Sequence, residues 1–229
     1  MPRPPSRSPS ARHREAPASG RTAARTINPE ANQRNILEVA TLEFAEHGLA
    51  GARIDEIAAK TDCSKRLIYY YFGDKEGLYL AVLENVYRRV RSVEAEVGFE
   101  QLPPVEAMRR MVAFRFDHHF QNRDFVRLVM IENIHNARFL ARSQLIHDLS
   151  AKAVERVGAI YRRGVASGDF RPGLAPLDIH WQISAMSFYN VSNSATFSKL
   201  FDIEVDAPAN VERIRARVIE TILRFVAPD

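Results

Sequence analysis

From Asn28 to the C-terminus, apolar side chains recur every three to four positions, the period of a helix face turned toward a core. Asn28-Pro29 reads as an N-cap with proline in the first turn. Ile36, Ala40 and Phe44 then repeat every fourth residue until Gly48 supplies a stop. Ile54, Ile57 and Ala58 predict a short second helix, and Ser64 caps a third with Ile68 and Phe72 on one face. Asp74 caps a fourth and longer helix, in which Leu78, Val82, Val86, Val90, Val93 and Val97 make a single stripe broken by Gly98 and Pro103-Pro104. Further helices are predicted over about 105–121, 125–136, 139–167, 177–201 and 209–226, the second of these apolar on more than one side and so expected to be central. No stretch alternates with period two long enough to make a strand, so the pattern predicts an all-α fold.

The first 27 residues break with this pattern. They hold five prolines, four serines and six arginines, with no large apolar side chain between Met1 and Ile27. Such a segment buries too little surface to offset its ordering entropy, and a disordered basic tail is expected over 1–27. It is read as a solvated tail, as a basic arm adding phosphate contacts, or as an Arg- and Ser-rich transit segment. The tail also changes the meaning of the charge. The chain carries 32 Lys+Arg against 28 Asp+Glu, a net +4, but Arg3, Arg7, Arg12, Arg14, Arg21 and Arg25 against Glu15 give +5 to the tail, leaving −1 for residues 28–229. The folded part is therefore nearly neutral and lacks a uniformly basic coat. One cysteine excludes an internal disulfide and a multi-cysteine zinc site. No apolar run reaches the roughly 18 residues that cross a bilayer. A soluble, cytoplasmic protein without membrane partners is expected.

The informative stretch runs from Gly51 to Lys75, GARIDEIAAKTDCSKRLIYYYFGDK. It predicts a short helix, a tight turn through Thr61-Asp62-Cys63, and a second short helix, the two propped on the Ile36/Ala40/Phe44 face of the first helix. That arrangement is a helix-turn-helix, and its second helix fits the major groove of a DNA duplex. With Ile68 and Phe72 inward, Lys65, Arg66, Leu67, Tyr69 and Tyr71 are left for the outer side, and Tyr70 is expected to be the packing member of the tyrosine run. Residues 28–75 have net charge −2, yet over 60–75 Lys60, Lys65, Arg66 and Lys75 meet only Asp62 and Asp74. The positive charge is local to the inserted element. Cys63, in the turn, is expected to be buried and inert, with a redox switch as the alternative.

Ile54-Asp55-Glu56-Ile57-Ala58, Ser64-Lys65-Arg66, Ile68-Tyr69-Tyr70-Tyr71-Phe72 and Asp74-Lys75-Glu76-Gly77-Leu78 together resemble the DNA-binding domain of the tetracycline-repressor (TetR) family, over about residues 32–83. The sequence departs from that pattern at Arg53, where a small hydroxyl residue usually caps the helix, and at Tyr71, often histidine. The resemblance implies a homodimer on a double-stranded DNA operator, a fourth helix that transmits ligand occupancy, and a C-terminal helical domain for ligand binding and dimerisation. The division implied is a helix-turn-helix domain over 28–75 and a helical ligand-binding and dimerisation domain over 76–229. Arg53, Ser64, Lys65, Arg66, Leu67, Tyr69, Tyr71 and Lys75 are the expected DNA contacts. Asp178 to Ala185 and Ser187-Phe188-Tyr189 are similar to the C-terminal domain of the pyrimidine-responsive repressors, whose ligand is not carried over.

In the C-terminal part, Phe116, Phe120, Asn133, His135, Trp181, Phe188 and Tyr189 are the expected pocket for an unknown small-molecule effector, aromatic walls with a few polar groups. The last two helices are expected to expose apolar faces that a second subunit covers in a four-helix bundle. Glu132-x-x-His135 has di-iron spacing but occurs once where such a bundle needs two copies and two further glutamates, and His118 and His119 point about 100° apart on a helix, so a pocket-lining or buried, hydrogen-bonded histidine is expected there and not a chelating pair. Neither a metal nor a cofactor is expected, nor catalysis. A helical-bundle metal enzyme and a DNA-binding protein without an effector are the alternatives.

Overall fold

The computed structural model describes Met1 and residues 28–228. Met1 aside, the tail expectation falls outside the described residues. Ten α-helices follow in order: α1 (Pro29–Gly51), α2 (Ile54–Thr61), α3 (Lys65–Phe72), α4 (Lys75–Glu96), α5 (Pro104–Gln121), α6 (Arg123–Ile134), α7 (Gln144–Ser167), α8 (Pro176–Ser192), α9 (Ser194–Phe201) and α10 (Pro208–Val226). Single 3-10 turns occupy Phe99–Gln101 and Leu140–Arg142, and the described residues contain no strand.

Caps read from the sequence form as hydrogen bonds. Asn28 Oδ1 accepts from the N–H groups of Glu30 and Ala31 at 3.1 and 3.2 Å, Ser64 Oγ from Leu67 at 3.2 Å, and Asp74 Oδ1 from Gly77 at 2.7 Å. Gly48 leaves the helical region, with φ 66°, but one more helical turn follows it to Gly51. Gly77 has a separate reason to be glycine: a Cβ there would lie 2.1 Å from the Phe72 carbonyl oxygen, so its absence lets α4 start close against the end of α3.

Two apolar cores result. Ile36, Ala40 and Phe44 of α1 meet Ile57, Ile68 and the first half of α4 (Leu78, Tyr79, Val82, Leu83 and Val86) in the N-terminal core. The same core takes in Phe125, Val126 and Leu128 of α6, with Phe139, Ile146 and Val191. The packing is therefore continuous across the expected boundary at 75/76. A second core joins Met108, Met111, Val112 and Phe116 of α5 to Val157, Ile160 and Tyr161 of α7, Ile179 and Ile183 of α8, and Val218, Ile219, Ile222 and Val226 of α10.

Four expectations are corrected. The α4 stripe holds through Val90 but does not continue to Val93, which is 51% exposed; the next buried position is Glu94, four residues on, where a helix returns to the same face. The helix expected over 139–167 is cut at Ser143. There Glu132 Oε2 accepts from Phe139 and Leu140 N–H at 3.0 Å each, and Ser143 Oγ accepts from Ile146 N–H while donating to Glu84 at 2.6 Å. The helix expected over 177–201 is interrupted at Asn193, whose side-chain amide donates to the Tyr189 carbonyl at 3.4 Å and to Ser192 Oγ at 2.9 Å. Of the last helices, α10 buries its apolar row, and the open apolar positions are Leu177, Trp181 and Tyr189 of α8 and Phe197, Leu200 and Phe201 of α9.

Candidate nucleic-acid interface

The turn between α2 and α3 is three residues long, and each has a structural task. Asp62 takes the left-handed conformation (φ 53°) that ends α2, a conformation Asp tolerates better than most residues. Cys63 donates its N–H to the Ala58 carbonyl and packs half-buried against the N-terminal core. Ser64 caps α3. The turn is tied to α1 through Asn35, whose amide donates to the Thr61 carbonyl at 3.4 Å.

Sequence reasoning overlooked Glu43, the brace of this unit. It is buried, accepting the Arg53 N–H at 3.1 Å on one carboxylate oxygen and Lys60 Nζ at 3.4 Å on the other, and so fixes both ends of α2 to α1. Position 43 lies seven residues after Ile36 and hence on the same helix face, which was the available signal. Arg53 stands at the N-cap of α2 without a side-chain cap bond; its guanidinium instead lies 3.7 Å from Glu56 and remains exposed.

The outer surface of α3 carries Lys65, Arg66, Tyr69 and Tyr70, all exposed. Lys65 pairs with Asp55 at the surface, an ion pair of small net value that solvent or a phosphate can replace. Tyr70 is 79% exposed, so the expectation that it packs is reversed. Ile68 sets the inner face; Tyr71 and Phe72, three and four residues later, return to it and pack against the core, while Tyr70, two residues later, points away. Leu67 and Tyr71 are half-buried, and Lys75 Nζ donates to the Ala50 carbonyl at 3.2 Å, joining α4 to the end of α1.

A second feature lies in the C-terminal half, a cavity of about 500 Å³ walled by α4, α5, α6, α7 and α8. Of the expected pocket residues, Asn133, Trp181 and Phe188 line it. Phe116 is instead in the second core, and Phe120 packs against the N-terminal one. His135 is exposed at the end of α6, and Tyr189 faces a smaller cavity of about 260 Å³ between α8, α9 and α10. Glu132 turns inward while His135 stays outside, so the Glu-x-x-His pair does not converge.

Besides Asn133, the polar lining includes His119, one of the two histidines expected to line a pocket or lie buried, together with Arg91, Arg115 and His180, which the sequence pattern did not single out. Their neighbour Glu94 is fully buried and accepts from Arg115 at 2.9 Å and Arg91 at 2.5 Å, with Arg156 at 3.5 Å. Burial pushes His119 down to about 3 and His118 and His180 to about 4, with the Arg115 charge acting in the same direction, so all three rings are neutral near pH 7. Burial works against the Glu94 charge, but the three arginines prevail and hold its carboxyl below the usual range. For the two arginines the advance signal was the 3.6-residue spacing that places Arg91 and Arg115 on otherwise apolar faces.

No helix among the described residues is long and apolar enough to cross a membrane. Residues 36–82 match the family described as bacterial regulatory proteins, tetR family, and residues 104–222 match the tetracyclin repressor-like C-terminal domain. The HTH-type transcriptional repressor NicS of Pseudomonas putida is 31% identical over 185 residues, 81% of this chain and 87% of its own length. The HTH-type transcriptional regulator RutR of Escherichia coli K12 is 25% identical over 90% of this chain and 93% of its own. The fold is also that of a tetR-family regulatory protein from Rhodococcus RHA1, with a TM-score of 0.67 at 22% identity over 86% of this chain and 98% of the other. These relatives are transcriptional regulators and not enzymes. With its helix-turn-helix, its helical C-terminal half and a matching relative along most of its length, the chain belongs to the TetR family of DNA-binding transcriptional regulators.

Proposed function

We propose that the protein is a homodimeric repressor whose grip on an inverted-repeat operator loosens when a small molecule enters the cavity between α4 and α8. The observation that carries this reading is the double membership of α4. Its first half, from Leu78 to Val86, is part of the N-terminal core, and its second half supplies Tyr87 and Arg91 to the cavity wall. Leu78 and Arg91 are about 20 Å apart along one helix, so a displacement at the cavity is delivered to the base of α3 without an intervening loop.

On the DNA side, Ser64, Lys65, Arg66, Leu67 and Tyr69 are assigned to the major groove, and Arg53, Tyr71 and Lys75 to phosphates. Tyr70 joins the reading face because of its exposure. Leu200 and Phe201 of α9, apolar, exposed and outside the cavity, support pairing with a second subunit, whose two-fold axis would match an inverted repeat. Such a repressor acts where the DNA is, in the cytoplasm.

Sedimentation of the purified chain, alone and with operator duplex, tests the stoichiometry. Thermal-shift screening of a metabolite panel then tests the effector, each hit being checked for a weakened operator complex. The expected result is a dimer alone, a dimer on one duplex, and a ligand that raises the melting temperature while lowering DNA affinity about 5–150-fold. A monomer on DNA contradicts the symmetry. Hits that leave DNA affinity unchanged contradict the coupling and favour a DNA-binding protein without an effector.

A further inference from the structure

The inner wall of the cavity holds more positive charge than its carboxylates balance. Arg91 of α4, Arg115 of α5 and Arg156 of α7 converge on one acid, Glu94. Arg156 has 23% of its side chain exposed and is partly screened by water, whereas the side chains of Arg91 and Arg115 are 11% and 6% exposed. Two deeply placed guanidiniums therefore share one anion, and the Nε atom of each has no hydrogen-bond partner among the described residues. The nearby buried Glu132 accepts from the Phe139 and Leu140 N–H groups, which satisfy its oxygens without cancelling its charge, so three arginines stand against two carboxylates. A buried charge short of a counter-ion is costly, and the strain shows in Arg115, whose pKa is lowered to about 10 by burial and by the neighbouring Arg91 charge.

The rest of the wall narrows the ligand further. Tyr87, Phe125, Phe188 and Trp181 supply aromatic surface, and the neutral His119 and His180 add hydrogen-bonding rings without adding charge. Counting Arg91, Arg115 and Arg156 against Glu94 and Glu132, one positive charge is left over, which suits a monoanion and not a dianion such as phosphate.

We propose that the cavity binds a small organic monoanion, one carboxylate on a mostly apolar body, with the carboxylate taken by Arg115 and Arg91 and the body lying against Phe125, Phe188 and Trp181. This rests on the cavity being the effector site. It also deepens the coupling: Arg91 and Glu94 are one turn apart on α4, so an anion that draws Arg91 toward the cavity loosens that pair on the helix that reaches the DNA-binding half.

Trp181 is the only tryptophan of the chain and lines the cavity, so its emission reports occupancy directly. Full-length protein is titrated at pH 7.5 with benzoate, phenylacetate, their amides, and acetate. The expected result is saturable binding of at least one aromatic acid, at least tenfold tighter than its amide and than acetate. Arg115→Met should lose tenfold or more for that acid while leaving the amide unchanged, and Arg115→Lys should recover part of the loss. Equal binding of acid and amide, or no saturable response to either acid, overturns the proposal, and these tests on the unaltered chain decide it even if Arg115→Met fails to fold. The same titration with operator present separates the two claims. Amides that bind as well as the acids and still release DNA overturn the anion assignment but leave the effector reading standing. An acid preference with unchanged DNA affinity supports the anion assignment and overturns the coupling.

Discussion

The reading face and the cavity differ in how their residues are gathered. Lys65, Arg66, Tyr69 and Tyr70 belong to two turns of one helix that starts at a cap on Ser64, so local geometry alone brings them together. The cavity collects residues from five helices, between Tyr87 and Phe188, and its charged centre forms only when α4, α5 and α7 pack. One region can lose a side chain and keep its shape; the other is part of the structure that holds the helices together. Substitutions in the first should change binding and spare folding, and substitutions in the second should change both.

The largest expected effect is on the cavity side. Glu94→Ala leaves Arg91, Arg115 and Arg156 without their common acid, and removing one partner of a buried ion network costs about 3–5 kcal/mol. Urea unfolding followed by circular dichroism measures it; a loss below about 1 kcal/mol would mean that the arginines are hydrated and the charge argument is wrong. Next comes Arg66→Ala, which should weaken operator binding by about 1–3 kcal/mol while leaving the unfolding midpoint unchanged. Comparable losses in both quantities would blur the distinction between the two regions.

Ser64→Ala removes the α3 cap and should cost about 1 kcal/mol of stability, read as a shift in urea midpoint. A signal of another kind is in the pH dependence. His118, His119 and His180 have folded pKa values below their unfolded value of about 6.5, so between about pH 6.5 and pH 4 the unfolded chain takes up protons that the folded one refuses. Their contribution is complete above about pH 6.5 and is lost as pH falls toward 4 for His118 and His180 and toward 3 for His119, with the depressed Glu94 carboxyl adding a loss of the same sign below its unfolded value. His119→Gln should flatten the slope of melting temperature against pH in that window, and an unaltered slope would place the proton uptake elsewhere.

The same contrast explains what the sequence made legible. Helix starts at Asn28, Ser64 and Asp74 were readable because a cap and its N–H partner are two or three residues apart. Tyr70 was misplaced because three consecutive tyrosines offer no hydrophobic contrast, although counting from Ile68 gives the outward direction. The break at Ser143 depends on Glu132, seven and eight residues before the N–H groups it accepts, and on Glu84, distant in the chain and adjacent only in the fold. Arg91, Arg115, His119 and His180 lay on helices whose positions were anticipated, but that they meet is a property of the tertiary arrangement. Trp181 and Phe188 were found as aromatics; His135, close to Asn133 in sequence, falls on the outer side of the helix end.

Selection of bound duplexes from a random DNA pool tests most directly whether α3 is presented twice by a symmetric pair. An enriched inverted repeat is expected, with half-site centres about 34–36 Å apart or a multiple of that spacing, whose preference at one position in each half relaxes with Arg66→Ala. An unrepeated motif, no enrichment, or a repeat indifferent to Arg66 would contradict it.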